Sequence, residues 1–486
     1  MKIKFQPSLK SAKGALVVPI FSDDLKKLPK YIPAPVSKIL KQLITTKDFT
    51  AKRGEILSTY IDEKKLPAKL LLVGFGKGKN YHAKRARYQA GWIGKSLKSA
   101  KLKEAAILFP KPLEAHANAF FEALMSAQYD IGKLKSKNSK STLEKVTFIT
   151  DSAKPLQPHL ERAQIIDTAI SMVKDLVNSP SNYVDAETLA KEARRIAKAN
   201  RYKIAIFKNK ELKKMAWGGL LAVNQGCKKD AQAIVLEYNG GKKKESPIVL
   251  VGKGIIFDTG GYNMKPGSAM ENMHLDMAGG ATVLGVFQTL KELGIKKNVV
   301  GIIPTAENLV SDTAYRPTDI ITMFDGQTVE ITNTDAEGRM VLADGLAYGS
   351  KFDPEMLISV ATLTGAVGVA LGDRYCGVFS NDIAIRKELV EVGKEVDDLG
   401  WGLPLPKDYR EKMKSKLADL RNYDQGTGRL AGSSKGAGFL SYFVGKNKWA
   451  HLDIGGTAFS SDPKPYQTPG ATAHGLQMLI RFLEKH

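Results

Sequence analysis

The chain has 486 residues, 43% hydrophobic and 25% charged, a globular balance that excludes a disordered or fibrous protein. The formal net charge is +23, and the only cysteines, Cys227 and Cys376, form neither a disulfide framework nor a C-x-x-C motif. No stretch approaches the ~20 apolar residues that span a bilayer, and the start, Met-Lys-Ile-Lys-Phe-Gln-Pro, lacks the apolar core of a signal peptide. Free thiols in a large chain fit a reducing cytoplasm, the expected location.

The positive charge is concentrated early. Residues 1–150 hold about 30 Lys and Arg against about 11 Asp and Glu, an excess of about +19, and the remainder carries about +4. Contact with nucleic acid or another polyanion is one reading. A solvated basic face is the other, favoured because the lysines are scattered and not interleaved with aromatic residues. No zinc-finger or RNP signature is present.

In chain order, Leu70–Gly76 and Ala105–Pro110 read as buried strands, and residues 82–98 and 113–128 have helical spacing, which predicts a small α/β domain. Lys133–Lys140 reads as a polar loop. A helical pattern from His159 to Val177 runs into Asn178-Ser179-Pro180-Ser181-Asn182, a strong breaker. The boundary is placed within that helix, giving domains at 1–164 and 165–486. Beyond it, Ile248–Val251, Val299–Ile303, Met356–Ala361 and Ala450–Ile454 read as strands. Gly279–Leu293, Arg339–Tyr348 and Gly475–Lys485 read as helices. Ile320–Phe324 and Thr328–Thr332 flank Asp325-Gly326, a hairpin signal. The fold class expected is α/β: a small N-terminal α/β domain and a larger C-terminal one with a mixed, mostly buried central sheet flanked by helices.

Two segments set charge beside apolar strands. Val249-Leu250-Val251-Gly252-Lys253-Gly254-Ile255-Ile256-Phe257-Asp258 continues through Lys265 to Asp276; Asn333-Thr334-Asp335-Ala336-Glu337-Gly338-Arg339 precedes a helix. Sites in open α/β sheets gather at the C-terminal strand ends. Asp335 and Glu337, two apart, would point the same way in an extended segment. Four converging carboxylates repel, and two divalent ions ~3.5–4 Å apart would compensate them. Oxygen-rich ligation suits Mn²⁺ or Mg²⁺ and is accepted by Zn²⁺. There is no H-E-x-x-H, and His274 near the acidic set reads as structural. Taken alone, each piece is ordinary: an Asp-x-Glu is usually a turn or a helix start, where acids are favoured anyway. The G-x-G-x-x-G pattern is absent around Gly252 and Gly254, which discounts a dinucleotide site.

Asn-Thr-Asp-Ala-Glu-Gly-Arg at 333–339 resembles the signature of the leucyl (cytosol) aminopeptidase family. Val-Gly-Lys-Gly-Ile-Ile-Phe-Asp-Thr-Gly-Gly at 251–261, then Lys265-Pro266 and Asp276-Met277, is similar to the same family's other metal-binding block. The resemblance runs from about Asn178 to Phe459. It implies a metallo-exopeptidase, with 165–486 the peptidase domain and 1–164 regulatory or involved in assembly. Asp258 and Glu337 would bridge two ions, Mn²⁺ or Zn²⁺. Asp335 would complete one site, and Lys253, as a neutral amine, and Asp276 the other. Lys265 and Arg339 would be the catalytic pair, Arg339 holding a bicarbonate ion as proton shuttle. A hydroxide shared between the ions would attack the first peptide bond of a peptide with a free amine, whose backbone lies along Leu363. Met273, Thr362, Leu363, Gly365 and Ala458 would line the pocket for the first side chain. The family also implies a homohexamer, and a DNA-binding role known for some bacterial members. Two departures stand out: Gly455 replaces the family's common alanine, which predicts a slightly wider pocket, and Ala473 replaces a common glycine. No metal or catalytic position departs, which argues against an inactive scaffold.

Overall fold

The computed structural model describes all residues except 10–12, 64–65, 137–142, 425 and 427–429; the expected loop Lys133–Lys140 lies partly outside the described residues. These form two compact units, Met1–Ser171 with Asp462–Pro469, and Met172–Ser461 with Gly470–His486.

The first unit is built on six strands: β1 (Lys2–Gln6), β2 (Ala15–Phe21), β3 (Ile56–Tyr60), β4 (Lys69–Gly76), β5 (Glu104–Leu108) and β6 (Lys145–Ile149). Their order is β1-β6-β5-β2-β4-β3, parallel except for β3 against β4. Alternate residues of β2 and β4 go to opposite faces, the period of a strand. Val17, Leu71 and Val73 join one apolar cluster, and Leu16, Val18, Leu70 and Leu72 the other. Burial on both faces is why these strands read as continuous apolar runs. The expected helix 113–128 is two helices, Lys111–Glu114 and Ala117–Ser126, interrupted at His116. The helix expected from His159 begins at Ala153 and ends at Asn178, as the breaker requires.

The second unit contains β7 (Lys203–Lys208), β8 (Gln232–Asn239), β9 (Ile248–Gly252), β10 (Gly254–Asp258), β11 (Asn298–Asn308), β12 (Ile320–Thr322), β13 (Thr328–Glu330), β14 (Met356–Ala361), β15 (Cys376–Ser380), β16 (Gly400–Gly402), β17 (Leu420–Arg421) and β18 (Trp449–Asp453). The large sheet has the order β16-β15-β18-β14-β9-β11-β8-β7, with β10 also on β11. Strands β18, β14, β9 and β11 are parallel, as is β10 to β11, and β15 and β8 flank them antiparallel. The mixed, mostly buried sheet is therefore as expected. β12 and β13 pair as the Asp325-Gly326 turn predicts. β11 is longer than its apolar stretch. It pairs with β9 through Val299–Ile302 and then with β10 up to Asn308, opposite Asp258. No described helix is long and apolar enough to cross a membrane.

Candidate metal centre

The parallel strands deliver their chemistry at one edge. Lys253 follows β9, Asp258 ends β10, Asn308 ends β11, Thr362 follows β14 and Asp453 ends β18. This is the C-terminal edge, where open α/β sheets hold their sites. Asp276 lies on the short 3-10 turn Met273–Met277 before the helix Ala278–Thr289, and Glu337 is the first residue of the helix Glu337–Gly349. Asp335 precedes that helix in a turn whose N–H Asn333 Oδ1 accepts at 2.8 Å. Asp335 and Glu337 thus converge through a turn and a helix start, not along an extended segment, because the side chain of Asn333 offers the backbone a local alternative.

Ligand oxygens of Asp258, Asp335 and Glu337 lie within 4.8 Å of one another. Asp276 stands one ammonium away: Lys253 Nζ is 2.8 Å from Asp276 and 2.8 Å from Glu337 Oε1, and it donates to the Thr362 carbonyl at 3.1 Å. Lys265 Nζ is 2.8 Å from Asp258 Oδ2 and 2.5 Å from Asp335 Oδ1. Lys253, Asp258, Asp276 and Glu337 are buried. Burial opposes the charge on both lysines, but the surrounding carboxylates hold their pKa values above the usual lysine range. Burial is the largest effect on Asp276 and pushes its carboxyl up to about 8 against the pull of Lys253. Asp258 and Asp335 are also raised, burial first and neighbouring acids next.

The donor set fits divalent ions. Three carboxylates share one point, and the fourth, Asp276, is bridged to them by the Lys253 amine, so the set offers oxygen donors and one nitrogen. His274, half-buried, is not among the clustered ligands.

Arg339 is buried in the first turn of the helix Glu337–Gly349, near enough to feel Glu337, Asp453 and Asp335; burial lowers its pKa. Its Nη1 donates to the Asn422 carbonyl at 2.5 Å, and its guanidinium lies over Tyr423, 5.5 Å from the ring centre. Among the pocket candidates, Thr362 Oγ1 donates to Asp276 Oδ1 at 2.6 Å, which draws Thr362 to the ligand itself. Met273 and Leu363 are half-buried, and Gly365 is exposed at the start of the helix Gly365–Leu371. Ala458 is buried in the turn after β18, its N–H on Ile454 and its carbonyl on Thr472.

Gly455 does not widen the pocket. A Cβ there would meet the Thr364 carbonyl at 2.5 Å, so backbone already fills the space of the missing methyl. Ala473 adopts φ 60°, a left-handed conformation that glycine takes without strain.

Three supporting residues carried no signal in the sequence. Asp453 is fully buried. Its Oδ1 accepts N–H from Leu363, Thr364 and Gly455 at 3.1–3.3 Å, and its Oδ2 accepts Thr364 Oγ1 at 2.6 Å. It joins the two loops that carry the pocket candidates. Asn308 and Tyr315 both donate to the Thr334 carbonyl, at 3.0 and 2.8 Å. Their importance comes from pairing across strands distant in sequence.

A largely buried acid cluster with two lysines in it, at the C-terminal edge of an α/β sheet, fits a metal-dependent hydrolase. Residues 171–480 match the cytosol aminopeptidase family catalytic domain, and residues 17–138 match that family's N-terminal domain. The chain belongs to the cytosol aminopeptidase family and is a metal-dependent aminopeptidase. A "Probable cytosol aminopeptidase" of Geobacter sp. (strain M21) is 37% identical, covering 100% of this chain and 99% of the relative. One from Cenarchaeum symbiosum (strain A) is 36% identical over 86% of each. Among solved structures, the bottromycin maturation enzyme BotP matches with a TM-score of 0.85 and 26% identity, covering 98% of this chain and 99% of that one. A structure of BotP in complex with Mn matches equally.

Proposed function

We propose that this chain releases N-terminal residues, leucine and other apolar ones among them, from peptides at a two-metal centre in residues 165–486. Asp258 and Glu337 would bridge the ions, with Asp335 completing one site and Lys253 and Asp276 the other. Lys253 would bind as the neutral amine, so binding releases a proton. When bound, such ions supply Lewis acidity and a nucleophile from water near neutral pH. Likeness to a protein solved with Mn supports Mn²⁺; Zn²⁺ fits the same donors.

The remaining steps belong to the chain. Lys265 would move from Asp258 and Asp335 to the scissile carbonyl oxygen. Its ammonium gains strength as a partner while charge develops there, so it favours the transition state over the bound substrate. Arg339 would present its guanidinium to a bicarbonate ion, whose planar oxygens match two parallel N–H donors. Held there by Arg339, bicarbonate would supply a proton shuttle for the leaving amine. Leu363 would hold the substrate backbone, with Met273, Thr362, Gly365 and Ala458 around the first side chain. Residues 1–164 are assigned to regulation or assembly, the assembly being a homohexamer, and the location to the cytoplasm. The basic N-terminal domain is given a secondary affinity for DNA.

The observation that carries the catalytic reading is the convergence of Asp258, Asp335 and Glu337 from separate elements, with Lys253 tying Asp276 to Glu337. The test is hydrolysis of Leu-, Met- and Phe-anilides with added Mn²⁺, before and after chelation. Turnover that chelation abolishes and Mn²⁺ restores is expected, with blocked N-termini refused. No turnover of any unblocked substrate by metal-replete protein rejects the reading.

A further inference from the structure

The Asp258 carboxylate is held from one side only. Its Oδ1 accepts the Gly260 N–H at 2.8 Å and the Asn308 Nδ2 amide at 2.7 Å. Its Oδ2 faces the cluster, 2.8 Å from Lys265 Nζ. Asn308 is fully buried and ends β11 directly opposite Asp258 in the strand register. Its Nδ2 also donates to the Thr334 carbonyl at 3.0 Å, one residue before Asp335. Thr334 is fixed in turn by Tyr315 OH on that carbonyl and by its own Oγ1 on the Gly260 carbonyl at 2.7 Å. One amide therefore touches both the end of β10 and the turn that carries Asp335.

The amide orientation follows from its partners. A carboxylate oxygen and a carbonyl oxygen both require the N–H₂ end. The cost falls on the other end, because Asn308 Oδ1 is buried without a hydrogen bond.

We infer that Asn308 is a positioning residue for the metal centre. It pins Asp258 Oδ1, which turns Oδ2 toward the cluster, and it locks the Asp335 turn to the same strand end. The inference rests on Asp258 being a ligand, as proposed above. Groups that orient metal ligands commonly change affinity 10- to 100-fold when removed.

The test is Mn²⁺ titration of chelated full-length protein, reading free Mn²⁺ by electron paramagnetic resonance, with thermal unfolding of the metal-free forms alongside. Asn308→Leu keeps the volume and removes both donors. Asn308→Asp sets a second carboxylate against Asp258. Both are expected to weaken Mn²⁺ binding about 10-fold or more, Asn308→Asp the more strongly. A purely structural role would lower the unfolding temperature of the metal-free protein and leave the Mn²⁺ dissociation constant unchanged; that outcome overturns the inference. If Asn308→Leu does not fold, Asn308→Ser, with room for a water, carries the same test. Asp258→Asn is the control. Wild-type Mn²⁺ binding by Asp258→Asn rejects the proposed ligand set. Wild-type binding by the Asn308 variants, with loss in Asp258→Asn, rejects only the role of Asn308.

Discussion

At the scale of single residues, the centre is a balance of charges that only burial makes consequential. Lys253 and Lys265 each sit between two carboxylates at 2.5–2.8 Å, and their proposed roles separate on substitution. Lys265→Ala is expected to lower kcat by about 10²–10³, the usual cost of removing a donor to a developing oxyanion, with metal content unchanged. Loss of metal together with activity would show that Lys265 is a ligand. Gly338 sets a finer limit. A Cβ there would lie 2.6 Å from Lys253 Nζ and 2.6 Å from its Cε. Alanine is the better helix former by about 1 kcal/mol, but overpacking a filled site costs about 1–3 kcal/mol. The Lys253 ammonium is already tied to Asp276, Glu337 and the Thr362 carbonyl, so the clash should win. Gly338→Ala is expected to bind Mn²⁺ more weakly, as measured by titration of the chelated protein; unchanged affinity would mean that Lys253 moves freely.

At the scale of elements, the strands act as the positioning frame. β18 illustrates how its core is tuned. His451 is fully buried between Phe379 and Trp449, with ring centres 6.1 and 6.2 Å away, and its Nδ1 is 3.0 Å from Ser359 Oγ. Burial pulls its pKa down to about 3. The folded state therefore takes up this proton less readily than the unfolded chain. The stability contribution is complete above about pH 6.5, the ordinary histidine value, and falls as pH drops from there toward 3. The slope is up to about 1.4 kcal/mol per pH unit. His451→Gln should flatten that part of the curve, read from urea unfolding between pH 4 and 7. An unaltered slope would assign the acid sensitivity elsewhere. Another buried acid, Asp344 on the helix Glu337–Gly349, accepts the N–H groups of Leu220 and Phe324 at 2.9 Å each. It fastens the helix that begins at Glu337 to the start of the helix Gly218–Val223 and to Phe324.

At the scale of the whole molecule, the charge is the property left over by catalysis. The +19 excess in residues 1–150 stands outside the metal-centre residues. If it grips duplex DNA through six or more phosphates, affinity should fall about 10³-fold or more between ~50 and ~200 mM salt. Gel shifts at the two concentrations measure this, and unshifted DNA at the lower one removes the DNA role. The buried strands β4, β5, β9 and β14 stood out as apolar runs, because both faces of their sheets are covered. β7 was missed, its half-buried residues carrying no such run, and so were β2 and β8, although both are largely buried.

What the sequence alone determined is the alphabet of the site. Lys253, Asp258, Lys265, Asp276, Asp335, Glu337 and Arg339 were singled out by the resemblance of residues 251–277 and 333–339 to the cytosol aminopeptidase family; taken alone, each is an ordinary residue for its place. The alternation of strands and helices fixed the α/β class. Only the tertiary structure decided what supports those residues. Asn308 became visible when β11 proved long enough to reach Asp258, and Asp453 when β18 aligned beside β14. The space beside Gly455 was assigned by Thr364, some ninety residues away. Hydrogen bonds of this kind depend on strand register, which is set by packing between distant segments and leaves no local pattern in the chain.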